Sequence, residues 1–509
     1  MRGFRLGAIL LAAPLLSGQD LKEFEKKVTE FTLANGLHFI VAERHEAPVV
    51  SFHTRVNAGS VDDPAGETGI AHMFEHMAFK GTESIGTRDW ASEKKALDAI
   101  EEAYDRLEAE RNKGPKADPG RIETFEFQLK MAIDRAQVYV QPNEYKRIIE
   151  ENGGMRVGVR TGPDSIEYSC SLPSNRIELW FLMESQRFLH PVFREFYKER
   201  DAMMEEHRAQ VESNPQGKLF QSLLATAFVA HPYHSPGLGW PSDIANLRRT
   251  DAKAFFDEHF APANMTMAMV GDVNPAEAKR MAERYFGPLA ARPLPLLRHT
   301  QEPPQPGPKM VIVESPTQPI LTVGYRRPDQ YDKDDAVFDV IQLILGGVPT
   351  GWLYKEIVQD KKIALAAQAA ATFPGGRYPN LFVFVLALSQ GHTAEENQKA
   401  LDDLLDRVKA KKVDAETLAQ AKIKGRAGVI RRLDSHAALA LLLATCSADY
   451  GDWRKLFTAI DDLNKVSADD VQRVARKHFV AGSRTVAYTI PPRQPSSPPA
   501  PRGAGGGPR

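Results

Sequence analysis

Residues 291–308 are rich in proline and separate two stretches that both read as strands followed by a helix. Proline fixes φ and lacks the backbone donor, so such a run interrupts helices and sheets and reads as a linker. Before it, Phe31–Leu33, Leu37–Ala42 and Val49–Val56 cluster β-formers around an Asn35-Gly36 turn, and an apolar-striped segment follows. After it, Val311–Glu314 and Ile320–Gly324 lead into a helical pattern from Asp334 to Leu345. The repeated order predicts an α+β chain with two similar domains, each a sheet packed by helices, at 20–290 and 309–491. A length of 509 residues agrees with more than one domain.

Apolar residues make up 42% and charged residues 26%, enough for sizeable cores. A net charge of −1 gives no support for nucleic-acid binding or for bulk steering of a charged substrate. Arg2 and Arg5 precede the apolar run Leu6–Leu16 and the small residues Ser17 and Gly18. This is a signal-peptide pattern over 1–19, with cleavage expected near Gly18 or Gln19; an uncleaved anchor is the alternative. Export to the periplasm or medium is therefore expected, and no later segment reads as transmembrane. Export permits disulfides, but the two cysteines, Cys170 and Cys446, lie far apart and read as structural thiols whose pairing stays open. The Pro/Gly/Ser/Arg-rich tail, 492–509, is expected to be disordered.

A polar helical block at 88–150 carries two apolar stripes. Trp90, Leu97, Ile100, Tyr104 and Leu107 form one; Ile122, Phe125, Leu129, Ala132, Ala136 and Tyr139 form the other. Prolines in Gly114–Gly120 separate them, so an inserted antiparallel helical hairpin is predicted, with a packing role.

The chemistry concentrates at His72-Met-Phe-Glu-His76. Residues four apart leave one side of a helix, so both imidazoles can meet one ion, with Glu75 on the same side. Ile70, Met73, Phe74 and Met77 form the opposite, buried stripe. Thr68 reads as the N-cap and Gly81 as the stop. Chance gives roughly 0.03 such pentapeptides in a chain of this composition, which favours a metal site over two surface histidines.

A catalytic zinc takes three protein ligands and keeps an open position. The acid-rich segment Lys198–His207 is the best source of the third. Glu199 and Glu206 lie seven apart on nearly one helix face, with Met203 between them, whereas Glu205 points about 100° away. Glu206 is thus the expected ligand and Glu199 its supporting partner. His207 also points away and reads as a surface residue, and His231 and His234 read as turn residues.

With these residues in place, His72-Met-Phe-Glu75-His76-Met-Ala-Phe-Lys-Gly81-Thr82 resembles the inverzincin peptidases of the pitrilysin type, family M16. The resemblance extends over about 30–490 and includes Asn35-Gly36-Leu37, Gly59-Ser60, Leu172-Pro173, the Glu199–Glu206 stretch, His231-Pro-Tyr and Pro262–Asp272. It implies one zinc ion per chain held by His72, His76 and Glu206, with Glu75 as catalytic base and Glu199 supporting the site. It further implies a two-domain clamshell and substrate bound by strand addition to an edge strand near Glu167–Leu172, which makes Glu167, Tyr168, Ser169 and Cys170 the expected substrate contacts. Three departures stand out. The spacing from His76 to Glu206 is longer than usual, and the hairpin accounts for the excess. Gly158 stands where an asparagine is expected. Val358 and Leu365 stand where members often carry an Arg and a Tyr that reach the active site from the second domain.

The implied reaction is peptide-bond hydrolysis by a metal-activated water with Glu75 as general base, on peptides or unfolded segments. Neutral imidazoles are needed, so activity should fall in acid. Three readings remain open: an endopeptidase complete in itself or as a homodimer; the zinc-bearing subunit of a heterodimer whose related partner supplies the missing Arg and Tyr; and a non-catalytic binding or assembly subunit.

Overall fold

The computed structural model describes residues 23–492 except 297, 298 and 348. The signal-peptide reading and nearly all of the tail lie outside the described residues. The first half contains β1 (Val28–Thr32), β2 (His38–Glu43), β3 (Val49–Val56), α1 (Ile70–Met77), α2 (Trp90–Arg111), α3 (Pro119–Ala136), α4 (Glu144–Glu151), β4 (Met155–Thr161), β5 (Ile166–Pro173) and α5 (Ile177–Leu189). It continues through α6 (Phe196–His207), α7 (Pro215–Ala227), α8 (Pro241–Asn246), α9 (Arg249–His259), β6 (Met265–Gly271) and α10 (Pro275–Phe286). The second half contains β7 (Lys309–Glu314), β8 (Ile320–Arg327), α11 (Asp335–Gly346), β9 (Ala364–Phe373), β10 (Asn380–Leu388), α12 (Ala394–Ala410), α13 (Ala415–Leu433), α14 (His436–Tyr450), α15 (Lys455–Lys465), α16 (Ala468–His478) and β11 (Arg484–Ile490).

The fold is α+β with two sheets, in the orders β1-β2-β6-β3-β5-β4 and β7-β11-β8-β10-β9. The second repeats the first without β1. In both, a parallel pair (β2 with β6, β7 with β11) adjoins an antiparallel meander. Each half buries one sheet face under its own helices, giving one core around Phe39, Phe52, Phe74 and Trp180 and another around Phe338, Phe382 and Phe384. The remaining faces are covered by exchange. Leu439 and Leu443 of α14 pack on Ile40, Ala268 and Val270 of the first sheet. Leu219 and Leu223 of α7 pack on Val313, Leu381 and Ala487 of the second. Each sheet is therefore buried on both faces, which explains the near-continuous burial of β6 and β10.

The helical hairpin forms from α2 and α3, with Leu97, Ile100, Tyr104, Leu107, Leu129 and Ala136 buried between it and the body. The proline-rich segment is pinned rather than loose. Glu302 accepts the backbone N–H groups of Val229, Ala230 and His231 and pairs with Arg326, and His299 bonds Asp62.

Three local expectations are corrected. The N-cap position of α1 is Gly69, in the left-handed region at φ 96°, not Thr68; the Asp63 carboxylate accepts the N–H groups of Gly69 and Ala71, while the Thr68 hydroxyl bonds Asp243 instead. Helix α1 ends at Met77, and Gly81 serves the following turn at φ 87°. His207 is buried, not exposed; the chain continues past it through a wide turn at Arg208–Glu212, against which α7 packs, and neither ring nitrogen has a hydrogen-bond partner among the described residues.

Candidate metal centre

Helix α1 is short and amphipathic. Ile70, Met73, Phe74 and Met77 are buried, and Phe74 packs among Phe193, Phe255 and Phe260. Burying that stripe turns His72, Glu75 and His76 toward α6 and β4. Helix α6 crosses α1 and presents Glu199 and Glu206 from one face, its buried Met203 between them.

The Nε2 atoms of His72 and His76 each lie 3.1 Å from one oxygen of Glu206. All three donors fall within 4.8 Å of one another, the one such three-residue group among the described residues. The second nitrogen of His76, Nδ1, is 3.2 Å from Glu199 Oε2. Burial pulls the His76 pKa down, and the hydrogen bonds to Glu199 and Glu206 more than reverse it, to about 9. Hydrogen bonds from His72 and His76 hold the Glu206 carboxyl well below the usual carboxylate range. Two imidazoles and a carboxylate converging on one point, with the carboxylate ionised, are the donor set zinc takes, and Glu199 on the rear nitrogen of His76 is the usual outer partner of such a ligand. The residues fit the ion.

Glu75 is partly exposed. Its Oε2 accepts the backbone N–H of Thr161 at 3.0 Å and lies 3.6 Å from His72 Nδ1. Thr161 ends β4, so the carboxylate is tied to the edge of the first sheet. That edge corrects the expected substrate contacts. Strand β5 is interior, paired with β3 on one side and β4 on the other. Tyr168 and Cys170 are buried, Glu167 is bonded to Arg55, and the Ser169 hydroxyl bonds the Arg156 carbonyl. The free edge is β4, which includes Gly158; the misplacement arose because strand order is a tertiary property that local β-propensity does not carry. Cys170 and Cys446 are both free thiols. Val358 is half-buried and Leu365 is exposed on β9, so neither place offers a polar group.

Sequence reasoning missed several supports. The Thr161 amide on Glu75 and the Asp63 cap have no local pattern. Lys80, bonded to Glu195 and Glu199, had only a partial signal: it lies four residues after His76, the spacing of one helix face, but α1 ends at Met77 before reaching it.

The first of the paired sheets thus carries a two-histidine, one-glutamate group beside its edge. Residues 39–108 match the family described as Insulinase (Peptidase family M16), and residues 246–424 match the family described as Peptidase M16 inactive domain. The chain is 25% identical over 499 residues to a protein named Zinc protease PqqE from Helicobacter pylori, covering 96% of this chain and 98% of the relative. It is 24% identical to the mitochondrial-processing peptidase subunit beta of Lentinula edodes, over 88% of this chain and 86% of that one. A solved protease from Helicobacter pylori has the same fold, with a TM-score of 0.77 at 23% identity, covering 91% of this chain and 99% of the other. The chain belongs to the M16 family of zinc peptidases. Among the described residues, no helix is long and apolar enough to cross a membrane.

Proposed function

We propose that the chain is an exported, zinc-dependent endopeptidase that hydrolyses peptides or unfolded segments, with the catalytic unit at 20–290, the linker at 291–308 and a supporting unit at 309–491. The observation that carries this reading is the convergence of His72, His76 and Glu206 beside a Glu75 carboxylate anchored to a free sheet edge. His72 and His76 Nε2 and the Glu206 carboxylate hold one zinc ion. When bound, the ion supplies Lewis acidity, polarising the scissile carbonyl and acidifying water. Glu75 takes a proton from the attacking water and delivers it to the leaving amine. The Thr161 N–H keeps one Glu75 oxygen fixed and leaves the other free for that transfer. Substrate adds as a strand along β4, which reads backbone more than side chains.

A second reading is supported by Val358 and Leu365. With no Arg or Tyr at those places, a related partner chain would complete the site, and the chain would be the zinc-bearing half of a heterodimer; the relative named a subunit beta is a precedent for subunit organisation. The test is hydrolysis of a quenched-fluorescent peptide by the purified chain beside Glu75→Gln. Turnover lost in the variant at unchanged zinc content supports the self-sufficient enzyme, alone or as a homodimer. Zinc bound without turnover in either protein points to the heterodimer. Absence of zinc sinks both and leaves a binding or assembly subunit.

A further inference from the structure

Lys80 lies just past α1 and is held at both ends by two consecutive residues. The Arg194 guanidinium donates to its backbone carbonyl and to the carbonyls of Thr82 and Ile85. The Glu195 carboxylate takes its ammonium at 2.9 Å. The same ammonium donates to Glu199 Oε1, while Glu199 Oε2 faces His76 Nδ1. One carboxylate thus bridges a lysine and a metal-binding imidazole.

Arg194 and Glu195 are in turn held by the two feet of the helical hairpin. Arg194 makes a two-pronged pair with Glu93 at the start of α2, and both side chains are only 1% exposed. Glu195 accepts Gln137 Nε2, just past the end of α3, at 2.9 Å. Glu195 sits at φ 59° without being glycine or asparagine, a left-handed conformation that persists where the surroundings demand it. Its side chain, 6% exposed, reaches Lys80 alongside that of Glu199.

We propose that Lys80 is a positioning residue for the metal centre, and that the hairpin feet Glu93 and Gln137 fix Lys80 through Arg194 and Glu195, so that the hairpin tunes zinc affinity. The chemistry is simple. Glu199 has one oxygen on the Lys80 ammonium and the other on His76 Nδ1. Lys80 holds Glu199 in place, so that its other oxygen accepts the Nδ1–H of His76 and the Nε2 lone pair is left for the ion. This inference rests on the zinc reading above.

The test is the zinc dissociation constant of the full chain, by chelator competition at pH 7.5, for wild type, Lys80→Met, Lys80→Arg, Gln137→Ala and Lys198→Ala. Lys80→Met should weaken zinc about 10–100-fold, the range for losing an outer partner of a ligand. Lys80→Arg should recover most of that loss. Gln137→Ala should give a smaller weakening in the same direction, and it serves if Lys80→Met fails to fold. Lys198 also bonds Glu195 but is mostly exposed and does not touch Glu199, so Lys198→Ala should leave zinc affinity unchanged. The ring ¹⁵N signals of His76 should show a protected Nδ1–H in wild type and lose it in Lys80→Met. Zinc held equally by wild type, Lys80→Met and Gln137→Ala overturns the positioning role alone, as does an equal weakening in Lys198→Ala, which would mean net charge rather than placement. A wild-type chain that binds no zinc overturns the metal reading as well.

Discussion

The two halves present nearly the same sheet with different chemistry in front of it. In the first, α1 follows β3 and faces α6, and the facing side chains are His72, Glu75, His76, Glu199 and Glu206. In the second, α11 follows β8 and faces α13. There the chain leaves a cavity of about 1070 Å³ walled by Asp335, Asp339 and Gln342 of α11 and by Val429 and Arg432 of α13. No trio of metal-binding side chains converges there among the described residues. Strand order and helix placement are therefore duplicated, while ligand chemistry is confined to one copy. The comparison teaches that the scaffold supplies a cleft, and that a few polar side chains turned inward from an otherwise apolar helix decide what it does.

The comparison can be broken most forcefully at Glu75. Glu75→Gln should retain zinc and lower kcat by about 10²–10⁴-fold, the usual contribution of a positioned acid–base group. The opposite pattern, zinc lost and activity kept, would remove the first cleft from the chemistry.

A second difference is acid sensitivity. His53 lies within the first sheet, and burial pulls its pKa down to about 4, with Glu167 opposing and Arg55 assisting. The unfolded chain protonates this histidine below about 6.5, whereas the folded one resists until about 4. Its contribution is fully present above the upper value and is lost as pH falls through that window, up to about 3 kcal/mol. Denaturant titrations from pH 7 to 4 should show a flatter pH dependence for His53→Leu than for wild type. Equal slopes would show that His53 is not a source of the acid lability.

A smaller effect sharpens the role of β4. Gly158 is not in the left-handed region, and a Cβ there would meet only the Ser169 hydroxyl, at 3.8 Å. Gly158→Asn should fold normally and raise kcat/KM about fivefold through one added substrate hydrogen bond of about 1 kcal/mol. A loss of activity would mean that substrate needs a bare edge.

The smallest expected change lies in the second cleft. Burial pushes the Asp339 carboxyl up to about 7, with Asp335 adding to it. The unfolded chain ionises this group near 3.8, so folding loses stability as pH rises from there to about 7. Asp339→Asn should raise the Tm modestly at neutral pH and leave zinc content unchanged. A fall in zinc would tie the second cleft to the first.

Much of this was legible in the chain because it is written locally. The stripe Ile70-Met73-Phe74-Met77 sets which side of α1 is buried, so the facing of His72 and His76 follows from periodicity alone. The paired stripes of α2 and α3 predict their hairpin for the same reason. What escaped reading depends on residues far apart. Asp63 displaces Thr68 as the cap of α1 because Thr68 is taken by Asp243. Strand β5 is interior because β4 folds outside it, and the burial of His207 is likewise absent from the helix spacing around it. The exchange of α7 and α14 between the sheets is equally silent, since an apolar helix face does not say which sheet it covers.

The most direct test of a metal centre confined to the first cleft is X-ray absorption at the zinc edge on the loaded full chain, beside His76→Ala. The expected spectrum shows one zinc site with two imidazoles at about 2.0–2.1 Å and the remaining shell from oxygen, one imidazole fewer or no zinc in the variant. A sulfur shell, or a spectrum unchanged by His76→Ala, would place the metal elsewhere and contradict the assignment.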